Sequence, residues 1–289
     1  MVADARLVIE HETVSAVRLD GGNGFGQVMA RGAMEIAVER AGRTGAAVVT
    51  LHNCGHTGRI GAYTEQAASR GMAALMMVNS GGSGQWVAPF GGAAGRLATN
   101  PLSLAVPTEA GDPLLLDIAT SVAPEGKIRT KLGAGQPIPL GWAVDHRGEA
   151  TTNPADLYGP PRGALLPFGG HKGFGLSMLV DALAGGLSGA GCCTEADRPL
   201  AGQTDGVLIW AINVAAFCRP AEFLQMIQRQ IAHVKSAPPS AGTVEILVPG
   251  ELEGRTRRQR LRDGIPVEES TWKQLQQSAS RFNVALPKF

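Results

Sequence analysis

Apolar runs of strand length alternate with segments of helical periodicity through the first third of the chain. Residues 46–51 and 73–78 are almost wholly apolar and too short for buried helices, so they predict buried strands. Ahead of them, residues 16–20 predict a short strand and the glycine-rich residues 21–26 a turn. From 27 to 41, Met29, Ala33, Ile36, Ala37 and Ala41 return at helical intervals, and Gly42 is placed to close that helix. A second helix is expected over 60–70, ending at Gly71. Polar clusters, His52 to Gly58 and Asn79-Ser80, follow directly on the two buried strands. Strand ends are where open α/β sheets gather ligand-binding groups. The alternation predicts the α/β (α+β) class.

The rhythm then changes. Strands at 102–107 and 114–118 are short, and residues 133–161 carry so many glycines and prolines that turns are expected there. A helix follows over 174–187, with Leu176, Leu179, Val180, Leu183 and Leu187 along one face. Residues 207–214 predict a central strand. Pro220 suits the first turn of a helix bearing Phe223, Ile227, Ile231 and Val234. A basic stretch at 250–264 precedes a last helix that begins near Glu268. The pattern shows no internal repeat and no sharp domain boundary.

With 289 residues the chain can bury a full core. A formal net charge of +1 gives no general attraction to nucleic acid or to a membrane surface. The run Arg255, Arg257, Arg258, Arg260, Arg262 has no interleaved aromatic residue and reads as a solvated face. The four cysteines lack paired spacing, which predicts free thiols and a cytoplasmic location. Residues 1–10 do not read as a signal peptide, and no apolar stretch approaches the ~20 residues of a membrane span. Many of the 39 glycines cluster, as Gly21-Gly22, Gly81-Gly82, Gly91-Gly92 and Gly169-Gly170, which fits close backbone approach to a ligand.

Three segments carry candidate chemistry. Residues 167–175, Pro-Phe-Gly-Gly-His-Lys-Gly-Phe-Gly, lead into the helix at 174–187. A helix start offers free N–H groups and partial positive charge, and Lys172 adds a full charge, so a diphosphate would fit. A glycine-rich cap with a surface lysine explains the same residues equally well, and the P-loop spacing is absent. In the second segment, His56 sits at a strand-to-helix junction and could exchange a proton near neutral pH, while Arg59 could clamp a carboxylate. A histidine that merely ties a loop is the competing reading. His52, Cys54 and His56 also stand at alternate positions, but the glycine beside His56 favours a turn, and no metal site is expected. In the third, a strand ends at Asp117, which suits ribose hydroxyls or an ordinary turn. No G-x-G-x-x-G opens a helix; residues 21–26 come nearest with the wrong spacing, so a dehydrogenase here would be of a non-Rossmann kind.

Taken in order, Gly55-His56-Thr57-Gly58, Ala88-Pro89-Phe90-Gly91-Gly92, Thr99-Asn100-Pro101, Asp117 to Ser121, Gly126-Lys127, Thr151 to Pro154 and Pro167 to Gly175 resemble the type-2 malate/L-lactate dehydrogenase family. Residues 52–66, 248–251, 256–260 and 264–266 are similar to its hydroxycarboxylate dehydrogenase B branch. The resemblance implies a mixed-sheet nicotinamide-binding fold, a homodimer, NAD or NADP as cofactor, and a 2-oxo acid/2-hydroxy acid pair as substrate. It implies a discontinuous α/β domain, 1–80 with 215–289, and a cofactor-binding domain, 81–214. By the same resemblance His56 matches a proposed proton acceptor; Arg59 stands beside it as the substrate candidate from its own chemistry. Ser80, Asp117, Ile118, Ala119, Lys172 and the helix start at Gly173 match cofactor contacts, as do His171, Pro249, Gly250 and Glu251 more weakly. Family members begin with a helical segment bearing Ser-His-Gly, which this sequence lacks, so the expectation is of a chain that starts after it. Two alternatives stand beside oxo-acid reduction: reduction of a cyclic imine such as Δ1-pyrroline-2-carboxylate, and nucleotide binding without catalysis.

Overall fold

The two apolar runs become the neighbours of the strand at the middle of a seven-stranded mixed sheet. A computed structural model describes residues 1–80, 84–194 and 205–286, and Gly81-Gly82 lie outside the described residues. In chain order the sheet is built from β1 (Val8–Glu12), β2 (Ala16–Gly24), β3 (Ala46–Cys54), β4 (Met72–Ser80), β5 (Leu102–Val106), β6 (Leu114–Ile118) and, last, β10 (Asp205–Asn213). Their spatial order is β1-β2-β3-β10-β4-β5-β6. β2 and β3 run parallel, and the other pairs are antiparallel. Val207 faces Leu51 on one side and Val78 on the other, and Ile209 faces Val49 and Met76. These residues are buried against helix α1 (Gly26–Thr44), with Tyr63 of α2 (Gly61–Ala68) in the same cluster. The strands read as apolar runs because one sheet face packs on these helices and the other is partly covered around Leu208, with Trp210 left exposed.

Two details differ from the pattern. The glycines at 21–24 continue β2 instead of turning away, through a bulge between Asp20 and Gly24. A side chain at Gly21 would lie 2.9 Å from the Asn53 carbonyl oxygen, so glycine lets this strand hug the polar end of β3. Helix α1 runs past Gly42 and stops at Gly45, whose φ of 86° ends it while its N–H returns to the Ala41 carbonyl.

Residues after β6 form α3 (Glu125–Gly133) and a small sheet of two-residue strands, β7 (Ala143–Val144), β8 (Ala150–Thr151) and β9 (Ala164–Leu165). Val87, Leu97, Ile128, Leu157 and Leu165 pack as a second cluster there. Helix α4 (His171–Val180) follows and widens into a π-turn at Asp181–Gly186. Only part of the expected apolar face turns inward: Val180 is buried and Leu176 packs beside it, whereas the later leucines do not follow. Leu179 and Leu187 are 60% and 57% exposed, and the inward face is Gly173, Ser177, Val180, Ala184 and Gly185. Close approach to two buried asparagines explains this. The Asn100 amide donates to the Ser177 carbonyl and hydroxyl at 3.1 Å, and a side chain at Gly185 would meet the Asn79 amide at 2.3 Å.

Helix α5 (Pro220–Lys235) starts at its proline as expected and keeps Phe223, Ile227 and Ile231 half-buried. The chain forms two compact units, Met1–Gly250 and Glu251–Phe289. The second holds α6 (Glu251–Asp263), whose arginines are exposed, and α7 (Glu269–Arg281). Among the described residues no helix is long and apolar enough to cross a membrane.

Candidate active site

The polar ends of β3 and β4 converge on one carboxylate. Asp205 opens β10 opposite Cys54 on one side and Ser80 on the other, and it is 2% exposed. Its Oδ2 accepts from the Thr57 N–H at 2.9 Å and the Thr57 hydroxyl at 3.0 Å, and its Oδ1 accepts from the Ser80 hydroxyl at 3.1 Å. His56 Nδ1 lies 3.6 Å from Oδ2, while 72% of the His56 side chain remains exposed. The Asp205 carboxylate beside the ring raises the His56 pKa against the opposing effect of burial. The Tyr63 hydroxyl donates to the Thr57 carbonyl at 2.6 Å and fixes the loop. Burial, with the neighbouring Cys54 and Asp205, pushes the Tyr63 phenol up to about 12, and burial pushes the Cys54 thiol up as well. Both therefore stay protonated at neutral pH. His56 is left as an exposed imidazole with a buried carboxylate behind it, an arrangement that suits a general acid–base. Asp205 is absent from the sequence reading; the signal available was a charged residue heading the most apolar strand.

Next to this cluster, Arg59 lays its fork on Glu65, with both Nη atoms 3.1 Å from the two carboxylate oxygens. Its Nε is 3.8 Å from Asp117 Oδ2, which also accepts from the Gly61 N–H at 2.9 Å. The residue expected at the substrate and the one expected at the cofactor are thus joined at the start of α2.

The edge beyond β6 carries the other expected cofactor residues. The Phe168 N–H donates to the Thr120 carbonyl at 3.0 Å and Ser121 bridges to Pro167, which sets the Asp117–Ile118–Ala119 strand end beside the loop before α4. Gly173 is needed for packing, since a side chain there would fall 2.1 Å from the Phe168 carbonyl oxygen. Its own N–H is already donated to that oxygen. Open space lies instead around Gly169, at φ 57°, just before Lys172. His171 meets Phe90 edge-on at 5.9 Å. A cavity of about 580 Å³ adjoins this loop, between Phe90, Gly91, Val144, Leu166 and Gly170. That is the size of a small-molecule site, though His56 is not in its wall. Pro249 accepts from the Leu115 N–H at 3.1 Å and Gly250 packs on Leu115, so both border β6; Glu251 opens α6 in the second unit. The alternate-position set falls apart. His52 Nε2 meets Glu10 at 2.9 Å, whereas Cys54 turns into the core toward the Asp205 carbonyl. Among the described residues no group of three His, Cys, Asp or Glu side chains is arranged around a common point.

The sequence profile described as malate/L-lactate dehydrogenase matches residues 1–276. The chain is 36% identical to an L-lactate dehydrogenase of Cupriavidus necator over 290 residues, covering 98% of this chain and 80% of that one. It is 38% identical to hydroxycarboxylate dehydrogenase B of Escherichia coli over 277 residues, with 94% and 75% covered. Among solved structures it is similar to a malate dehydrogenase from Entamoeba histolytica, with a TM-score of 0.92, 29% identity, and 98% and 81% of the two chains covered.

Proposed function

Because the chain belongs to the malate/L-lactate dehydrogenase family, we propose that it moves a hydride between a nicotinamide cofactor, NAD or NADP, and a 2-oxo acid/2-hydroxy acid pair. The observation that carries this reading is His56, held at Nδ1 by the buried Asp205 and exposed on its other side. The bound cofactor supplies the hydride. His56 gives a proton from Nε2 to the substrate oxygen during reduction and takes it back during oxidation. Asp205 orients the ring and stabilises the imidazolium. Ser80 and Thr57 keep Asp205 in place. Lys172 and the open backbone at Gly169 fit a diphosphate, while Asp117 and Ile118 end β6 with Ala119 just after them, and Pro249 and Gly250 border it at Leu115. Arg59 receives the substrate carboxylate by exchanging its Glu65 partner.

Purified protein mixed with NADH or NADPH and a panel of 2-oxo acids tests the reading through loss of reduced-nicotinamide absorbance. Absence of turnover with every acid, while both cofactors bind, would sink it. Lys172→Ala removes one charge-assisted contact, so the cofactor dissociation constant rises about tenfold; an unchanged value in a fluorescence titration removes Lys172 from the site. Asp205→Asn lowers the His56 pKa toward its ordinary value of about 6.5. The pH–rate profile for reduction then moves to lower pH, which an activity series across pH measures.

A homodimer is part of the reading. Met178, Leu179 and Leu187 of the α4 region are exposed, as are Trp210 and Leu104, which stand in register with Leu75 between them. A second copy would bury this apolar surface, and sedimentation of the protein at micromolar concentration tests it. The four free cysteines support a reducing, cytoplasmic setting.

A further inference from the structure

A second carboxylate is buried at the same end of the sheet, on the opposite face. Successive residues of a strand point to opposite sides, so at the end of β4 Ser80 turns to Asp205 and Asn79 turns to the π-turn. Asn79 is fully buried, and its amide donates to Asp181 Oδ1 at 3.1 Å and to the Gly191 carbonyl at 2.9 Å. Asp181, 4% exposed, accepts the Cys193 N–H on its other oxygen at 2.8 Å. The Cys193 thiol lies 3.9 Å from the Ser80 carbonyl. Glycines wall the asparagine in: a side chain at Gly206, the residue after Asp205, would stand 2.4 Å from Asn79 Oδ1. Asp181 begins the six-residue π-turn, and such insertions in a helix are frequent at functional sites.

We infer that Asp181 is a positioning residue for the proton-carrying pair: from behind the sheet it fixes the strand end that bears Ser80 and the segment at Cys193. Both contacts converge on the surroundings of Asp205, since Ser80 holds Asp205 directly and Cys193 abuts the Ser80 backbone. The inference rests on the reading of His56 as the proton carrier. The titratable groups facing Asp205 are His56, Cys54 and Tyr63, and those facing Asp181 are Cys192 and Cys193. Asp181 touches neither substrate nor cofactor in this scheme. It acts through the hydrogen bonds that keep the Ser80 hydroxyl on the carboxylate.

Asp181→Asn tests it at nearly constant volume. An asparagine can accept from one of the two N–H donors, but its own amide then opposes the other, so one anchor is lost. The readout is the NMR titration of the His56 ring in the full-length protein without substrate, assigned by comparison with His56→Gln. The expected result is a His56 pKa displaced toward its ordinary value, together with a fall in kcat of about tenfold and a cofactor KM within twofold of the parent. A folded variant whose His56 titration and kcat match the parent overturns the inference, even if its melting temperature drops. If Asp181→Asn does not fold, Asn79→Ser cuts the same link from the strand side and is read the same way. The ring titration needs no turnover, so it separates failure of this inference from failure of the proposed reaction.

Discussion

Replacing His56 with glutamine lowers the turnover of 2-oxo acids by between about a hundredfold and ten-thousandfold, the range carried by a positioned general acid. Glutamine can still hydrogen-bond to Asp205 but cannot carry a proton, so the loss appears in kcat and in both directions of the reaction. Cofactor binding, measured separately, stays within a few-fold. The pH dependence has a definite sign. Asp205 raises the His56 pKa, so the acid form required for reduction persists to higher pH than for a free imidazole, and reduction falls as pH rises through the raised value. Oxidation needs the neutral ring and falls as pH drops through it. Stability follows the same linkage. A histidine whose folded pKa is raised stabilises the fold fully below its unfolded pKa, and that contribution fades as pH rises through the folded value. His56→Gln removes this pH-dependent part. A glutamine variant that keeps more than a tenth of parental kcat would show that another group delivers the proton.

Gly26→Ala destabilises the protein by about 3 kcal/mol or more, at the upper end of the range for overpacked positions. The new Cβ would lie 1.9 Å from the Gly55 carbonyl oxygen and 2.5 Å from the His56 carbonyl carbon and oxygen. Backbone atoms cannot swing aside as the tip of a long side chain can. Either the start of α1 lifts from β3 or the Gly55–His56 loop moves. In both cases a fall in melting temperature of at least about 6 °C is expected, with a loss of activity beyond what stability explains. Gly175→Ala is the control. Nothing lies within 4 Å of its added carbon, and it sits inside α4, so it is neutral or stabilising by up to about 1 kcal/mol. Equal losses from the two substitutions, read by thermal unfolding, would refute the steric argument.

These two cases show how far the sequence is legible. Strands β3 and β4 and helix α1 stand out because burial imposes a local period, and that period is written in consecutive residues. The π-turn does not stand out. Small side chains line the inward face of α4 and the π-turn because two asparagines from other elements press on it, so Leu179, Leu183 and Leu187 fall on the outer surface instead. Asp205 is illegible for a related reason. Its bonds to Thr57 reach across 148 positions and depend on the register of β10 between β3 and β4. His56 and Lys172 stand out as candidates because the glycine-flanked segments around them resemble a family pattern, whereas helical or strand spacing alone leaves structural explanations open. The glycines on either side of Lys172 suggest one phosphate cradle in the sequence, but they divide. Gly173 serves contact between loop and helix, and Gly169 has open space around it.

The strand at the centre of the sheet is the last of its seven strands to be synthesised. On the ribosome, β3 and β4 are complete some 125 residues before Asp205 emerges, and each holds an unpaired edge of apolar sequence through that interval. A nascent chain stopped before β10 is therefore a template for pairing with other chains. Such long-range closure makes folding slow relative to helical proteins. Fragments ending near residue 194 should accumulate in aggregates, and synthesis that pauses there should recruit chaperones, whereas chains released after Asn213 can close the sheet on themselves.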